Sequence, residues 1–299
     1  MRLLDAHNHL QDERFAGRQP ELIRLCQEHS VVGMVVNGSC QADWPVVATL
    51  ARTYPDLIQP AFGMHPWYLH ERTRTWKEEL ESHLDAMPHA TVGEIGLDRW
   101  ILDSPPASRA GIDPALASLV APPLAEQLEI FQAQLEIAAA RNLPASIHCL
   151  QAWGALDSAL RSAPRPARGF LLHSYGGPVE MVPGFAALGA YFGFPGYFLH
   201  PRKARQRDTF RAIPADRRLI ETDAPDQRLP EPFPALTTLG GRETEGPLAC
   251  RDADGRALNH PANLRWVCLG LADFLAVDPA EFAQQLERNH RALFGAPSI

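Results

Sequence analysis

The sequence lacks any excess of positive charge: across 299 residues, 28 Lys and Arg stand against 35 Asp and Glu, a formal net charge of −7. Coating nucleic acid by bulk charge needs a concentrated basic surface, so that class is excluded and only a local basic patch stays open. Cysteine pairing is missing too. Cys26, Cys40, Cys149, Cys250 and Cys268 are odd in number, scattered and never spaced as CxxC, which excludes a disulfide framework and a thiolate zinc site and points to a reducing, cytoplasmic compartment. No stretch approaches the roughly 18 apolar residues of a membrane span, since even LEIFQAQLEIAAA is broken by Glu and Gln. The opening MRLLDAHNHLQDERF has no apolar core of a secretory signal, so export is not expected. GxGxxG does not follow the first apolar run and GxSxG is absent, which argues against a dinucleotide-binding sheet and a serine nucleophile elbow.

What is present is an alternation. Short runs rich in Val, Ile, Leu and Phe predict strands at Leu3–Ala6, Val31–Val36, Leu57–Phe62, Thr91–Ile95, Pro144–Ile147, Phe170–Leu172, Ala190–Phe194 and Arg218–Glu221. Between most of them lie segments with helical spacing. In Leu124–Arg141, for example, Leu128, Phe131, Leu135 and Ala138 or Ala139 form one apolar stripe, with Gln and Glu expected opposite. Eight strand–helix units predict a closed (β/α)8 TIM-type barrel, read as one domain over residues 1–299. Pro261–Ala276 reads as a closing helix, and Pro279–Phe294 as an extra C-terminal helix capped by Asp278. Residues 99–123 and 224–259 show no clear apolar period and are expected to be lids or binding loops.

The chemistry-bearing residues fall at one end of those strands. His7 and His9 sit two apart just past the first strand, where a period of two turns both imidazoles to one side. Glu94 lies in VGEIGLD, His148 ends PASIH, His173 ends GFLLH and Asp223 ends RLIETD. In a barrel, the C-terminal ends of the strands share one mouth. A lone His near a strand is more often a packed rim residue than a ligand, but four imidazoles and two carboxylates converging there form a natural site for two divalent cations. A carboxylate inside an apolar strand needs a strong partner, and a metal supplies one.

Taken in order, DAHNHL, GMHP, GEIGLD, SIHCL, LLHSYGG and ETDAP resemble the signature blocks of the TatD-like metal-dependent hydrolases, within the amidohydrolase-type barrels. The resemblance runs from Asp5 to the terminal NHRALFG. It implies that His7, His9, Glu94 and Asp223 hold one metal and that Glu94, His148 and His173 hold another. Glu94 would then bridge, and Asp223 would serve as general base toward a water activated by Zn, Mn or Mg. His65 in GMHP is expected to face substrate, and Asp98 to orient a ligand histidine. Asn8 and Asn37 read as structural. Cys149 is expected to point away from the mouth, while Trp67, Tyr68, Trp100, Trp153, Tyr175 and Tyr197 are possible stacking surfaces that could equally be core.

Two departures bear on substrate. Nuclease-like members carry Arg two residues after the fifth-strand histidine, where this chain has Leu150, and a basic run after TDAP, where it reads RDADGRALNHPANL. A missing guanidinium removes a bidentate phosphate contact. The leading expectation is a TatD-type deoxyribonuclease or phosphodiesterase acting on DNA. The alternative is a hydrolase of a small amide, lactone or phosphoester, and a third is a barrel that binds metal or a partner without catalysis.

Overall fold

The computed structural model describes residues 1–15, 17–110, 114–236 and 246–295. Eight strands form one parallel sheet in sequence order: β1 (Leu3–Asn8), β2 (Val31–Asn37), β3 (Ile58–Phe62), β4 (Thr91–Asp98), β5 (Ala145–Leu150), β6 (Phe170–Leu172), β7 (Ala190–Pro195) and β8 (Arg218–Glu221). The sheet curls until β8 meets β1. There Asp223 N–H donates to His7 O at 2.9 Å and His9 N–H to Ala224 O at 2.8 Å. The buried Asp5 carboxylate completes the seam by accepting from Thr222 N (3.0 Å), Thr222 Oγ1 (2.5 Å) and His7 N (3.2 Å). A (β/α)8 barrel is therefore present, with strands beginning within a residue or so of the expected positions and several running further toward the mouth.

The helices are α1 (Gln19–Glu28), α2 (Trp44–Thr53), α3 (Trp76–Ala86), the short α4 (Trp100–Asp103) and α5 (Pro106–Ala110), α6 (Leu124–Arg141), α7 (Trp153–Ser162), α8 (Val182–Ala187), α9 (Ala204–Ala212), α10 (Leu264–Leu275) and α11 (Pro279–Phe294). Their starts and stops follow local chemistry. The Asp278 carboxylate accepts from Ala280 N and Glu281 N at 2.8 and 2.9 Å to cap α11, and α6 ends on Asn142 in the left-handed region. No helix among the described residues is long and apolar enough to cross a membrane.

One expectation needs correcting. The α6 stripe is rotated relative to the sequence reading: Gln127 and Gln134 are fully buried, whereas Leu128 is only partly so. The reason is hydrogen bonding rather than hydrophobicity. Gln127 accepts from Asp98 N at 2.7 Å and donates to Asp98 O at 3.1 Å, while Gln134 does the same for Met64 at 2.7 and 3.2 Å. The two long connections carry short elements of their own. Residues 99–123 contain α4, α5 and a 3-10 turn at Pro114–Ala117, and residues 224–259 contain an antiparallel pair, β9 (Ala249–Arg251) and β10 (Ala257–Asn259). Parts of both, 111–113 and 237–245, lie outside the described residues.

The strand period of two stratifies the barrel interior. Val35, Ala61, Leu171, Tyr191 and Leu219 form a buried apolar layer, closed from below by Leu293 and Phe294 of α11. Fully burying each of these larger side chains contributes about 1.5–3 kcal/mol. Two residues further along the same strands, Asn37, His173 and Glu221 take their places, and polar chemistry begins. The alternate residues, such as Val36, Val92, Ile147, Leu172, Phe192 and Ile220, belong to the outer core that includes the helices.

Candidate metal centre

Each strand delivers its residue differently. His7 lies in β1 where its pairing with β2 is irregular, between Asp5 and Asn8, and His9 follows one residue past the strand. Glu94 sits on a bulge: Val92 pairs with Ala145 and Ile95 with Ile147, so Gly93 and Glu94 together face only Ser146. Such an insertion re-aims a side chain beside a functional site. Gly96, at φ 146°, lets β4 rejoin β5, because a Cβ there would lie 2.0 Å from His148 O. His148 lies within β5 and His173 just beyond β6. Asp223, beyond β8, adopts φ 50°, a left-handed turn that Asp tolerates.

All six residues converge. Glu94 Oε2 lies 3.4 Å from His7 Nε2 and 3.2 Å from His9 Nε2, and Asp223 Oδ1 lies 3.7 and 3.5 Å from the same two nitrogens. Glu94 Oε1 faces a different set: His173 Nε2 at 2.7 Å, His148 Nδ1 at 3.1 Å and His65 Nε2 at 3.4 Å. Three ligand-type groupings result, His7–His9–Asp223, His7–Glu94–His173 and His65–Glu94–His148.

The far sides of the rings decide what the near sides offer. His9 Nδ1 donates to Asn37 O at 2.8 Å, and His148 Nε2 donates to the Asp98 carboxylate at 3.0 Å, so both present a lone pair to the centre. Ser146 Oγ sits 2.7 Å from His7 Nδ1, and Glu221 Oε1 lies 3.7 Å from His173 Nδ1. Asp98 is itself held by Trp67 Nε1 at 2.7 Å. His65 is the exception. Its Nδ1 accepts Trp67 N–H at 3.2 Å, which leaves the proton on Nε2 and makes His65 a hydrogen-bond donor toward the centre rather than a lone-pair ligand.

Sequence reasoning anticipated the part played by Asp98 but missed Ser146, Glu221, the Asn37 carbonyl and the two glutamines. Glu221 carried a signal in retrospect: it is a fully buried acid on an inward position, facing Gly193, where a Cβ would lie 2.0 Å from its Oε2. Its Oε1 accepts from Ser174 N at 2.5 Å and Ser174 Oγ at 2.9 Å.

The electrostatics of these side chains by themselves are those of a cation site holding protons. Burial disfavours charge on His9 and His148. Hydrogen bonds and charge from Glu94, together with Asp223 for His9 and Asp98 for His148, nevertheless lift both to about 9. Burial would raise Glu94, yet the charges of His173, His65 and His7 hold it well below the carboxylate range. Burial lifts Asp223 to about 7 and lowers His65 to about 4. Glu94 Oε1, though crowded by imidazole nitrogens, is a buried oxygen with no hydrogen bond. Converging lone pairs and an orphaned carboxylate oxygen fit a divalent cation bound by N and O donors.

Other candidates separate cleanly. Cys149 is buried and its thiol pushed up by that burial, the opposite of an activated nucleophile. Leu150 stands exposed at the end of β5 on the inward register of His148. Tyr175 packs edge-on against Trp153 and Phe192 and belongs to the core.

A parallel eight-stranded barrel with a buried histidine–carboxylate cluster at the C-terminal mouth defines a metal-dependent hydrolase of the barrel class. The family described as TatD related DNase matches residues 4–295, and the chain belongs to it. Among curated relatives, the 3'-5' ssDNA/RNA exonuclease TatD of Edwardsiella piscicida is 29% identical over 224 residues, covering 75% of this chain and 79% of the relative. The protein of the same name from Escherichia fergusonii is 28% identical over 298 residues, covering 98% and 99%. The crystal structure of the TatD homologue YJJV from Escherichia coli K12 superposes with a TM-score of 0.78 at 24% identity, over 99% of this chain and 98% of that one, a likeness of fold.

Proposed function

We propose that the chain, acting as one unit over residues 1–299, hydrolyses phosphodiester bonds of single-stranded nucleic acid with two divalent cations held on either side of Glu94. The observation that carries this reading is the division of Glu94: Oε2 faces His7 and His9, with Asp223 beside them, while Oε1 faces His148 and His173. Cations in these positions, Zn, Mn or Mg, supply Lewis acidity, an acidified water and neutralisation of phosphoryl charge. Asp223, beside His7 and His9, takes the proton of the attacking water as general base. His65, neutral and carrying its proton on Nε2, donates to a phosphoryl oxygen as charge builds there. Asn37 O, Ser146 and Asp98 fix the imidazole orientations and so preserve the lone pairs. The relatives named as 3'-5' exonucleases support the substrate class. Five free cysteines, four of them buried, support a reducing, cytoplasmic setting.

The test is to strip the protein of metal, reconstitute it in turn with Zn, Mn and Mg, and assay single-stranded DNA and bis(p-nitrophenyl) phosphate beside Asp223→Ala. Metal-dependent cleavage of both, lost in the variant, is expected. Turnover retained by Asp223→Ala would refute its role as base. Exposed Leu150, in place of the guanidinium of nuclease-like members, favours a second reading, a small phosphoester as substrate. Cleavage of the ester without cleavage of DNA would select it.

A further inference from the structure

A nucleic acid substrate is an anionic chain that must be held at a mouth where β5 ends on the exposed, apolar Leu150, in a protein of net charge −7. Three guanidinium groups on mouth-side connections are already spent. Arg14 bridges Asp12 and Asp226, each at 2.7 Å, Arg72 meets Glu126 at 2.7 Å, and Arg99 meets Asp103 at 3.1 Å. A group already neutralised by a carboxylate offers little to a phosphate.

The segment after β7 is different. It carries Tyr197, Arg202 and Lys203, and the chain has only one other lysine. Arg202 Nη2 donates to Tyr197 Oη at 2.5 Å, with its guanidinium carbon 5.2 Å from the ring centroid, and Lys203 Nζ lies 4.6 Å from the same centroid. Two like charges thus share one aromatic ring. Among the described residues neither has a carboxylate within ion-pair distance. The segment is also fixed from below. Phe198 and Leu199 are buried, and Arg207 donates to Phe198 O at 2.9 Å and His200 O at 2.7 Å. Beta strand order places it at the mouth between the strands that lead to His173 and Asp223.

We infer that Tyr197, Arg202 and Lys203 form a backbone clamp that grips phosphates of the substrate strand at the mouth. The inference rests on the nucleic acid reading given above. An unneutralised pair of cations held by a rigid loop and an aromatic ring is suited to following a phosphodiester backbone without reading sequence. The clamp makes the long substrate bind and leaves the bond-breaking step to the metal centre.

The measurement is steady-state cleavage of a single-stranded oligonucleotide by the metal-loaded wild type, by Arg202→Ala/Lys203→Ala and by Arg52→Ala, across a salt series. Arg52 is an exposed cation in the last turn of α2, at the opposite end of the barrel. The double variant is expected to raise KM about tenfold with little change in kcat, and to flatten the slope of log(kcat/KM) against log[salt] by about 1.4, two contacts at roughly 0.7 each. Arg52→Ala leaves the slope unchanged. Thermal melts separate a loss of binding from a loss of folding. An unchanged KM and slope in the double variant, a fall confined to kcat, or an equal effect from Arg52→Ala would overturn the clamp while the nuclease reading stands. A wild type that cleaves bis(p-nitrophenyl) phosphate but no oligonucleotide would overturn that reading, and the clamp with it.

Discussion

The same strands build two opposite environments two residues apart. At the base of the barrel, Leu171, Tyr191 and Leu219 interlock with Leu293 and Phe294 of α11. One period of two further along, His173, Gly193 and Glu221 crowd charge and lone pairs into buried space. The base gains free energy from burial. The mouth loses it, because burial takes polar and ionisable groups out of water. Stability and function are therefore separable along a single strand, and substitutions in the two layers should fail in different ways.

The largest effect is expected at the mouth. Glu94→Ala or His7→Ala should lower metal-dependent turnover on bis(p-nitrophenyl) phosphate by on the order of 10³ or more, with a circular dichroism spectrum and melting temperature close to wild type. A collapse of the fold in these variants would erase the contrast. At the base, Leu171→Ala should cost about 2–5 kcal/mol in urea unfolding, while the molecules still folded keep their turnover per bound cation. Loss of turnover without loss of stability at that position would mean the layers are coupled.

Acidity sharpens the comparison in both layers, with the sign set by burial and partners. At the mouth, His9 and His148 sit at about 9 without a cation. Binding a cation at pH 7 must therefore displace protons, and cation affinity should climb from pH 6 to pH 9. Calorimetry in buffers of different ionisation enthalpy counts those protons, and an affinity independent of pH would contradict the assignment. At the base, burial, with Arg291 nearby, lowers His290 to about 3. Its folded value lies below the unfolded one of 6.5, so its contribution is intact above pH 6.5 and is lost progressively as pH falls toward 3. His290→Phe should flatten that acid limb of stability by one proton and leave cleavage unaffected. The smallest effect belongs to Cys149→Ser, which should change turnover little, since the thiol is buried outside the mouth.

The parts legible in sequence are those with a local signature. Alternating apolar runs located all eight strands, and the residues ending them, His7, His148 and His173 among others, marked the mouth because strand ends in a barrel share one side. What escaped is held by contacts distant in the chain. Gln127 and Gln134 look like solvent-facing polar residues on a helix, and only the backbones of Asp98 and Met64, 29 and 70 residues away, make burial favourable. The bulge that turns Glu94 inward follows from pairing with β5 and has no periodic trace in VGEIGLD. Asp5 stands in a motif read for its histidines, yet its carboxylate joins the last strand to the first. Local pattern reports which face a residue occupies, not which backbone group it will satisfy.

The two-cation proposal turns on Glu94, whose two oxygens face different histidines. The most direct test is metal content at saturation, by equilibrium dialysis and elemental analysis, in wild type and in Glu94→Gln. Two cations are expected per folded wild-type chain and at most one in the variant, with the barrel intact in both. A single cation in the saturated wild type, or two retained without the Glu94 carboxylate, would contradict it.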